Sequence, residues 1–101
     1  MSTDEVDDFV KAIRSRWSGP IGIHTHDNKG QALDNCIAAI KSGATWIDGT
    51  VLGMGRGAGN CATEILTLEL EKQGGEYCSI NLWDLVLKDF QPFQVKYGWG
   101  A

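Results

Sequence analysis

The sequence predicts an α/β fold with parallel strands. Two short apolar segments, residues 21–26 and 45–51, each follow a stretch patterned as a helix, and each ends in a polar or glycine-rich run. Strands that alternate with helices in this way pair in parallel through right-handed crossovers. The 101 residues leave room for one domain and one core, because cores typically occupy about 100 to 150 residues.

Ser2-Thr3-Asp4-Glu5 has the form of a capping box. Val6, Phe9, Val10, Ile13 and Trp17 then recur at three- and four-residue spacing as one apolar helix face, which should end before Gly19-Pro20. Ile21, Ile23 and Thr25 alternate with Gly22, His24 and His26 in a short strand expected to bury both faces. The polar run Asp27-Asn28-Lys29-Gly30 closes it. A second helix is expected from Gln31 to Lys41, with Leu33, Cys36, Ile37 and Ile40 inward and Gly43 as its C-terminal cap.

Thr45 to Val51 is the second strand, and Gly53-Met54-Gly55-Arg56-Gly57-Ala58-Gly59 is a loop that requires special backbone conformations. Asn60 stands where the next helix would be capped. That helix carries Ala62, Ile65, Leu66 and Leu70 and stops at Gly74-Gly75. Glu76 to Ile80 reads as a short third strand, and Asn81 with Asp84 as the cap of a last helix through Phe90.

Composition narrows the function. Hydrophobic residues at 43% and charged residues at 22% are ordinary for a folded domain. A net charge of -4, with Asp4, Glu5, Asp7 and Asp8 gathered near the start, offers no basic face for nucleic acid or for anionic membranes. No apolar run approaches the roughly 20 residues of a spanning helix, and the chain begins with acids where a signal peptide is basic. A cytoplasmic location is the expectation. Cys36, Cys61 and Cys78 form no C-x-x-C pair, so they are read as reduced, mostly buried thiols.

His24 and His26 are the only histidines. Two apart on a strand, they leave one face with α-carbons about 6.5 Å apart and can converge on one ion. They stand at the carboxyl end of the strand, where α/β folds place ligands. Imidazole with oxygen donors suits transition metals, and also manganese or magnesium with waters completing an octahedron. Two hydrogen-bonded polar residues at a strand end would have the same spacing, and both readings stand. Asp48 and Thr50 share a strand face and could orient a ligand or a metal-bound histidine, or be satisfied structural groups. Arg56 could meet an anionic substrate or simply be solvated.

The glycine loop carries a rival. Gly53-x-Gly55-x-x-Ala58, after a strand and before a helix, satisfies a dinucleotide fingerprint, with Glu76 as the ribose acid. On that reading the chain is a small nucleotide-phosphate-binding module using the Gly53–Asn60 loop. Such a motif alone is weak, and a tight loop that brings backbone close to a ligand meets the same description. A folded chain with neither ligand is the third possibility.

The string Gly22-Ile23-His24-Thr25-His26-Asp27-Asn28, then Ile47-Asp48-Gly49-Thr50, then Gly53 to Asn60 and Thr63-Glu64, resembles the HMG-CoA lyase-like metal-dependent superfamily. This superfamily includes 4-hydroxy-2-oxovalerate aldolase, isopropylmalate synthase and pyruvate carboxyltransferase domains. The resemblance covers about residues 20 to 66 strongly. It implies a TIM barrel of eight strands and about 250 residues, of which residues 1–101 would be the C-terminal portion, a partial barrel of two to three parallel βα units. It further implies the metal ligands His24, His26 and Asn60, and a substrate loop of Gly53, Gly55, Arg56, Gly57 and Gly59. The cofactor would be Mg2+ or Mn2+, at a site that a partial barrel could leave unoccupied, and the substrate of the intact enzyme a 2-oxo acid or an acyl-CoA.

The family's early aspartate-arginine-glutamate strand motif has no counterpart here, and the loop has Met54-Gly55-Arg56 where HMG-CoA lyases have a catalytic cysteine. No catalytic residue is therefore assigned. A carbon-carbon lyase or condensing enzyme is expected of the parent, and inactivity of this portion alone. Open sheet edges would favour a homo-oligomer. Met1 before a well-capped helix reads as a start, and Gly98-Trp99-Gly100-Ala101 as an interruption.

Overall fold

A computed structural model describes residues 1–77 and 79–99. The order is α1 (Thr3–Arg14), β1 (Gly22–His24), α2 (Ala32–Ser42), β2 (Trp46–Asp48), a 3₁₀ turn at Val51–Gly53, α3 (Thr63–Lys72), α4 (Ser79–Leu85), a wider π-type turn at Val86–Phe90, and α5 (Gln91–Tyr97). The strands pair in parallel with Gly22 opposite Trp46, Ile23 opposite Ile47 and His24 opposite Asp48.

The capping box forms as expected, with the Glu5 N–H donating to Ser2 Oγ at 3.2 Å and the Ser2 N–H donating to the Glu5 carboxylate at 3.3 Å. The end of α1 is fastened by Arg14, whose guanidinium donates to Trp17 O at 3.1 Å, Gly19 O at 2.6 Å and Gly43 O at 2.6 Å. Gly43 caps α2 at φ 119°, a left-handed conformation that favours glycine. Arg14 thus ties the C-terminal ends of both helices together, and Ser42 Oγ donates to Asp7 across the same pair.

Two clusters make the core. Val6, Val10, Ile21, Ala39 and Ala44 pack where α1 meets α2, and Ala32, Cys36, Cys61 and Leu66 pack where α2 meets α3. Ile47 of β2 touches both. Every helix contact to the sheet is therefore made from one side, and among the described residues no layer covers the other.

That one-sidedness corrects several expectations. β1 does not bury both faces: Ile21 and Thr25 are buried toward the helices, while Gly22 and His24 are exposed, as are their β2 neighbours Trp46 and Asp48. The apolar stripe of α1 is wider than the surface α2 can cover, so Val6 and Val10 are buried whereas Phe9, Ile13 and Trp17 are exposed. The buried residues of α2 are Ala32, Asn35, Cys36 and Ala39, with Leu33 and Ile37 packed against the second cluster from its margin.

Asn60 does not cap α3, whose N-cap is Ala62. Glu76 and Tyr77 are not in a strand, and Ser79 and Ile80 already belong to α4; the expected strand's Cys78 lies outside the described residues. Asn81 lies inside α4, because the Glu71 carboxylate takes both the Ser79 N–H and its hydroxyl and starts the helix two residues earlier. The helix does not end at Phe90. It runs on through the π-type turn, where the Gln91 N–H donates to Val86 O, into α5, with Pro92 in the first turn of α5.

Candidate metal centre

The strand geometry brings the two histidine rings together. Their centroids are 4.9 Å apart in an edge-to-face arrangement, on the exposed face at the carboxyl end of β1. Parallel pairing places Asp48 beside His24, with Nδ1 3.3 Å from Oδ2. The tautomer that makes this hydrogen bond carries its proton on Nδ1 and leaves Nε2 with the lone pair, as metal-binding imidazoles are commonly prepared. Asp48 thus touches His24, a contact open to either of the two readings its sequence position allows. Thr50 does not reach the rings: its backbone bridges to Ala62, and its buried hydroxyl has no partner among the described residues.

Asn60 arrives from the far end of the glycine loop. An isolated antiparallel bridge joins it to His26, and the Asp27 N–H donates to Gly59 O at 2.9 Å. Its N–H donates to Gly53 O at 3.0 Å, and its side-chain Nδ2 donates to Met54 O at 3.0 Å. The amide nitrogen is thereby occupied, and among the described residues nothing donates to Oδ1. The structure thus joins the backbones of two expected ligands and stacks the rings of two. Among the described residues no cluster of three histidine, cysteine or acidic side chains could hold an ion, so the donor set rests on two imidazoles and an amide oxygen. Imidazole with neutral oxygen leaves most of the charge on the ion uncompensated, which suits a site that also takes an anionic ligand.

The loop backbone is as unusual as its glycines imply. Gly53, Gly57 and Gly59 have φ of 67°, 62° and 87°. A Cβ at Gly55 would stand 2.5 Å from Asn60 Nδ2. Arg56 is exposed at the loop tip, and the structure gives its side chain no partner among the described residues.

Four side chains beneath the site received no role from sequence. Asp27 accepts the Ala32 N–H at 3.1 Å and so fastens the turn after His26 to the start of α2. Glu64, 1% exposed, accepts the Leu52 N–H with both oxygens, at 2.6 and 3.2 Å. An acid in a first helical turn is the only local signal for it, and that signal ordinarily marks a solvated residue. Cys36 and Cys61 are free and buried in the same core cluster, and the Thr25 hydroxyl lies 3.2 Å from Cys36 Sγ. The interaction with the Cys61 thiol brings Cys36 down from 9.0 to about 7 against the opposing effect of burial, while Cys61 is pushed up by the same interaction and by burial.

The dinucleotide reading finds no support in this geometry. α3 begins at Thr63, past the loop's end, so its N-terminus does not open directly from the glycines.

The HMGL-like family model matches residues 1–89. The chain belongs to the HMGL-like family. Among curated relatives, 4-hydroxy-2-oxovalerate aldolase of Carboxydothermus hydrogenoformans is 49% identical over 67 residues, which is 66% of this chain and 20% of that protein. A solved N-terminal domain of a protein assigned as an aldolase, from Bacteroides vulgatus, superposes with a TM-score of 0.90 at 39% identity, over 99% of this chain and 33% of that one. An HMG-CoA lyase from A. baumannii, in complex with coenzyme A and 3-methylmalate, gives a TM-score of 0.79 at 24% identity, over 100% of this chain and 38% of that one, and bears on the fold alone. The HMGL-like chain therefore has the fold of part of a TIM-type aldolase or lyase barrel. It spans about a fifth of the length of the curated relatives it matches. Among the described residues no helix is long and apolar enough to cross a membrane.

Proposed function

We propose that this chain carries the divalent-metal half-site of an aldolase or lyase acting on 2-oxo acids or acyl-CoA, with His24, His26 and Asn60 as its ligands. The observation that supports it most is the His24–His26 ring pair, backed on one side by Asp48 and joined on the other to Asn60. These groups come from β1, β2 and the glycine loop, and a purely structural role for the histidines explains neither their exposure nor their convergence.

A bound Mg2+ or Mn2+ would polarise the oxygens of a 2-oxo acid or an enolate, so that a carbon-carbon bond can be made or broken. The chain's own residues prepare that site. Asp48 fixes the His24 tautomer, Met54 O holds the Asn60 amide so that Oδ1 is free to accept, and the glycines keep loop backbone near the substrate position. Arg56 at the loop tip would meet the substrate's anionic end.

On this reading the chain is a C-terminal barrel portion, inactive alone because the early aspartate-arginine-glutamate motif is absent, and it works in the cytoplasm. Its exposed sheet face, with Trp46 69% exposed beside Gly22, and its open strand edges would assemble with a second copy. Thermal unfolding with EDTA, Mg2+ or Mn2+, in parallel with the His24→Ala/His26→Ala double variant, tests the metal reading. An ion bound only by the folded chain adds about 2.7 kcal/mol of stability at a hundred times Kd by mass action, and Tm rises with it. The expected result is a rise with Mn2+ that the double variant loses. An equal rise in both proteins would remove the histidines from the site.

A further inference from the structure

Leu52 is the only non-glycine residue with positive φ among those described, at φ 53° and ψ 21°. Side-chain-bearing residues adopt this region at a cost and persist there only where surroundings hold them. Here the surroundings grip the residue from both sides. Its N–H is bonded by both oxygens of Glu64, and its carbonyl accepts from the Trp99 indole at 3.0 Å. A buried carboxyl is expensive unless it is hydrogen-bonded. Its position on α3, next to the packing residue Leu66, is one that an apolar side chain could fill more cheaply.

The two residues after Leu52 support the candidate metal ligand. Gly53 O takes the Asn60 N–H, and Met54 O takes the Asn60 side-chain amide. The direction of those two carbonyls is set by the reversal of the chain at Leu52, itself closed by the Gly53 N–H on Thr50 O and the Met54 N–H on Val51 O.

We propose that Glu64 is a positioning residue for the metal site: by bonding the Leu52 N–H it holds the left-handed turn from which Asn60 is hung. The proposal rests on the metal reading above for its consequence, though not for its geometry. Glu64 touches neither the histidines nor Asn60; it acts through three backbone units of the glycine loop.

The test uses Glu64→Gln, Leu52→Gly and the double variant. Glycine takes positive φ without cost, so it should form the turn with no carboxylate to hold it. Amide exchange and the proton shift of Leu52 are read by NMR without metal, and Mn2+ affinity by water-proton relaxation. The unaltered chain should show a downfield, slowly exchanging Leu52 N–H, and Glu64→Gln should shift it upfield, speed its exchange and weaken Mn2+ binding about 10- to 100-fold, the usual effect of losing a supporting group. Leu52→Gly should bind as the unaltered chain does, and the double variant should regain most of the lost affinity. A Leu52 amide unchanged in Glu64→Gln overturns the proposal, and so does a double variant that binds no better than Glu64→Gln. Should the unaltered chain itself bind no Mn2+, the metal reading fails, and the Leu52 amide still decides whether Glu64 holds the turn.

Discussion

The glycine loop can be tested by adding one methyl group at a time. At Gly59, with φ of 87°, a Cβ would overlap the carbonyl oxygen of Gly53, which accepts the Asn60 N–H at 3.0 Å. Alanine there meets the left-handed cost of roughly 1–2 kcal/mol. It also forces Gly53 O aside, which forfeits a hydrogen bond of about 1 kcal/mol. Together these predict a loss of about 2–3 kcal/mol. At Gly57, φ is 62° but nothing lies within 4 Å of the added carbon, so only the backbone cost of roughly 1–2 kcal/mol remains. At Gly55 the backbone carries no positive-φ cost, and the Cβ would meet Asn60 Nδ2 at 2.5 Å. Stability should fall by only about 1 kcal/mol, the hydrogen bond to Met54 O, while the Asn60 amide is displaced and Mn2+ affinity drops. In a chain of this size 1 kcal/mol moves Tm by about 4–8 °C. Thermal unfolding followed by circular dichroism should therefore separate Gly59→Ala from Gly57→Ala by roughly 4–8 °C, the effect of the forfeited hydrogen bond. Equal midpoints for those two variants would refute the claim that Gly59 is required by the approach of Gly53 O and not merely by its φ.

Two further outcomes concern the scaffold. Arg14→Ala removes three charged donors to backbone carbonyls at once and should cost about 2–3 kcal/mol, well below the sum of three such bonds at roughly 1.5–3 kcal/mol each, because one is exposed and two are only part-buried. Urea unfolding reads this directly, and Arg14→Lys should retain only part of the stability, because one ammonium cannot span Gly19 and Gly43 as the guanidinium fork does. The cysteine pair predicts a pH dependence. Cys36 ionises lower in the folded chain, at about 7, than its ordinary 9.0, so it contributes stability that grows as pH rises from about 7 to 9. Cys61, held protonated, withdraws stability above 9. The difference in urea midpoint between the unaltered chain and Cys36→Ala should widen over the first of these windows, and a difference flat from pH 6 to 9 would contradict the assignment.

Which parts of this could be read from sequence depends on the range of the interaction behind each signal. The Ser2–Glu5 box, the Gly43 cap and the His24–His26 pair are set within one or two turns of chain or one strand repeat, and they stand where the spacing puts them. The family resemblance carried the barrel, which two strands alone would not have specified. Asn60 shows the opposite case. An asparagine after a glycine loop and before a helix has the local form of an N-cap, yet its partners are His26 and the carbonyls of Gly53 and Met54. Only tertiary pairing selects between those two fates. The same limit explains α1: its periodicity records an apolar face that includes Phe9, Ile13 and Trp17, but not which part of that face α2 is wide enough to cover.

Glu64 marks the boundary most clearly. Asp4, Glu5 and Glu64 are all acids in the first turn of a helix, and the helix dipole favours each of them there. Asp4 and Glu5 are exposed, whereas Glu64 is buried to 1% because α3 packs its first turn beneath the loop that it must hold. The need for that carboxylate arises at Leu52, twelve residues earlier, where the chain reverses with a leucine in place of a glycine. A glycine at 52 would have announced the turn in the sequence. With leucine there, the turn and the acid that stabilises it are legible only as a pair in space, so changing Leu52 and Glu64 together is more informative than changing either alone.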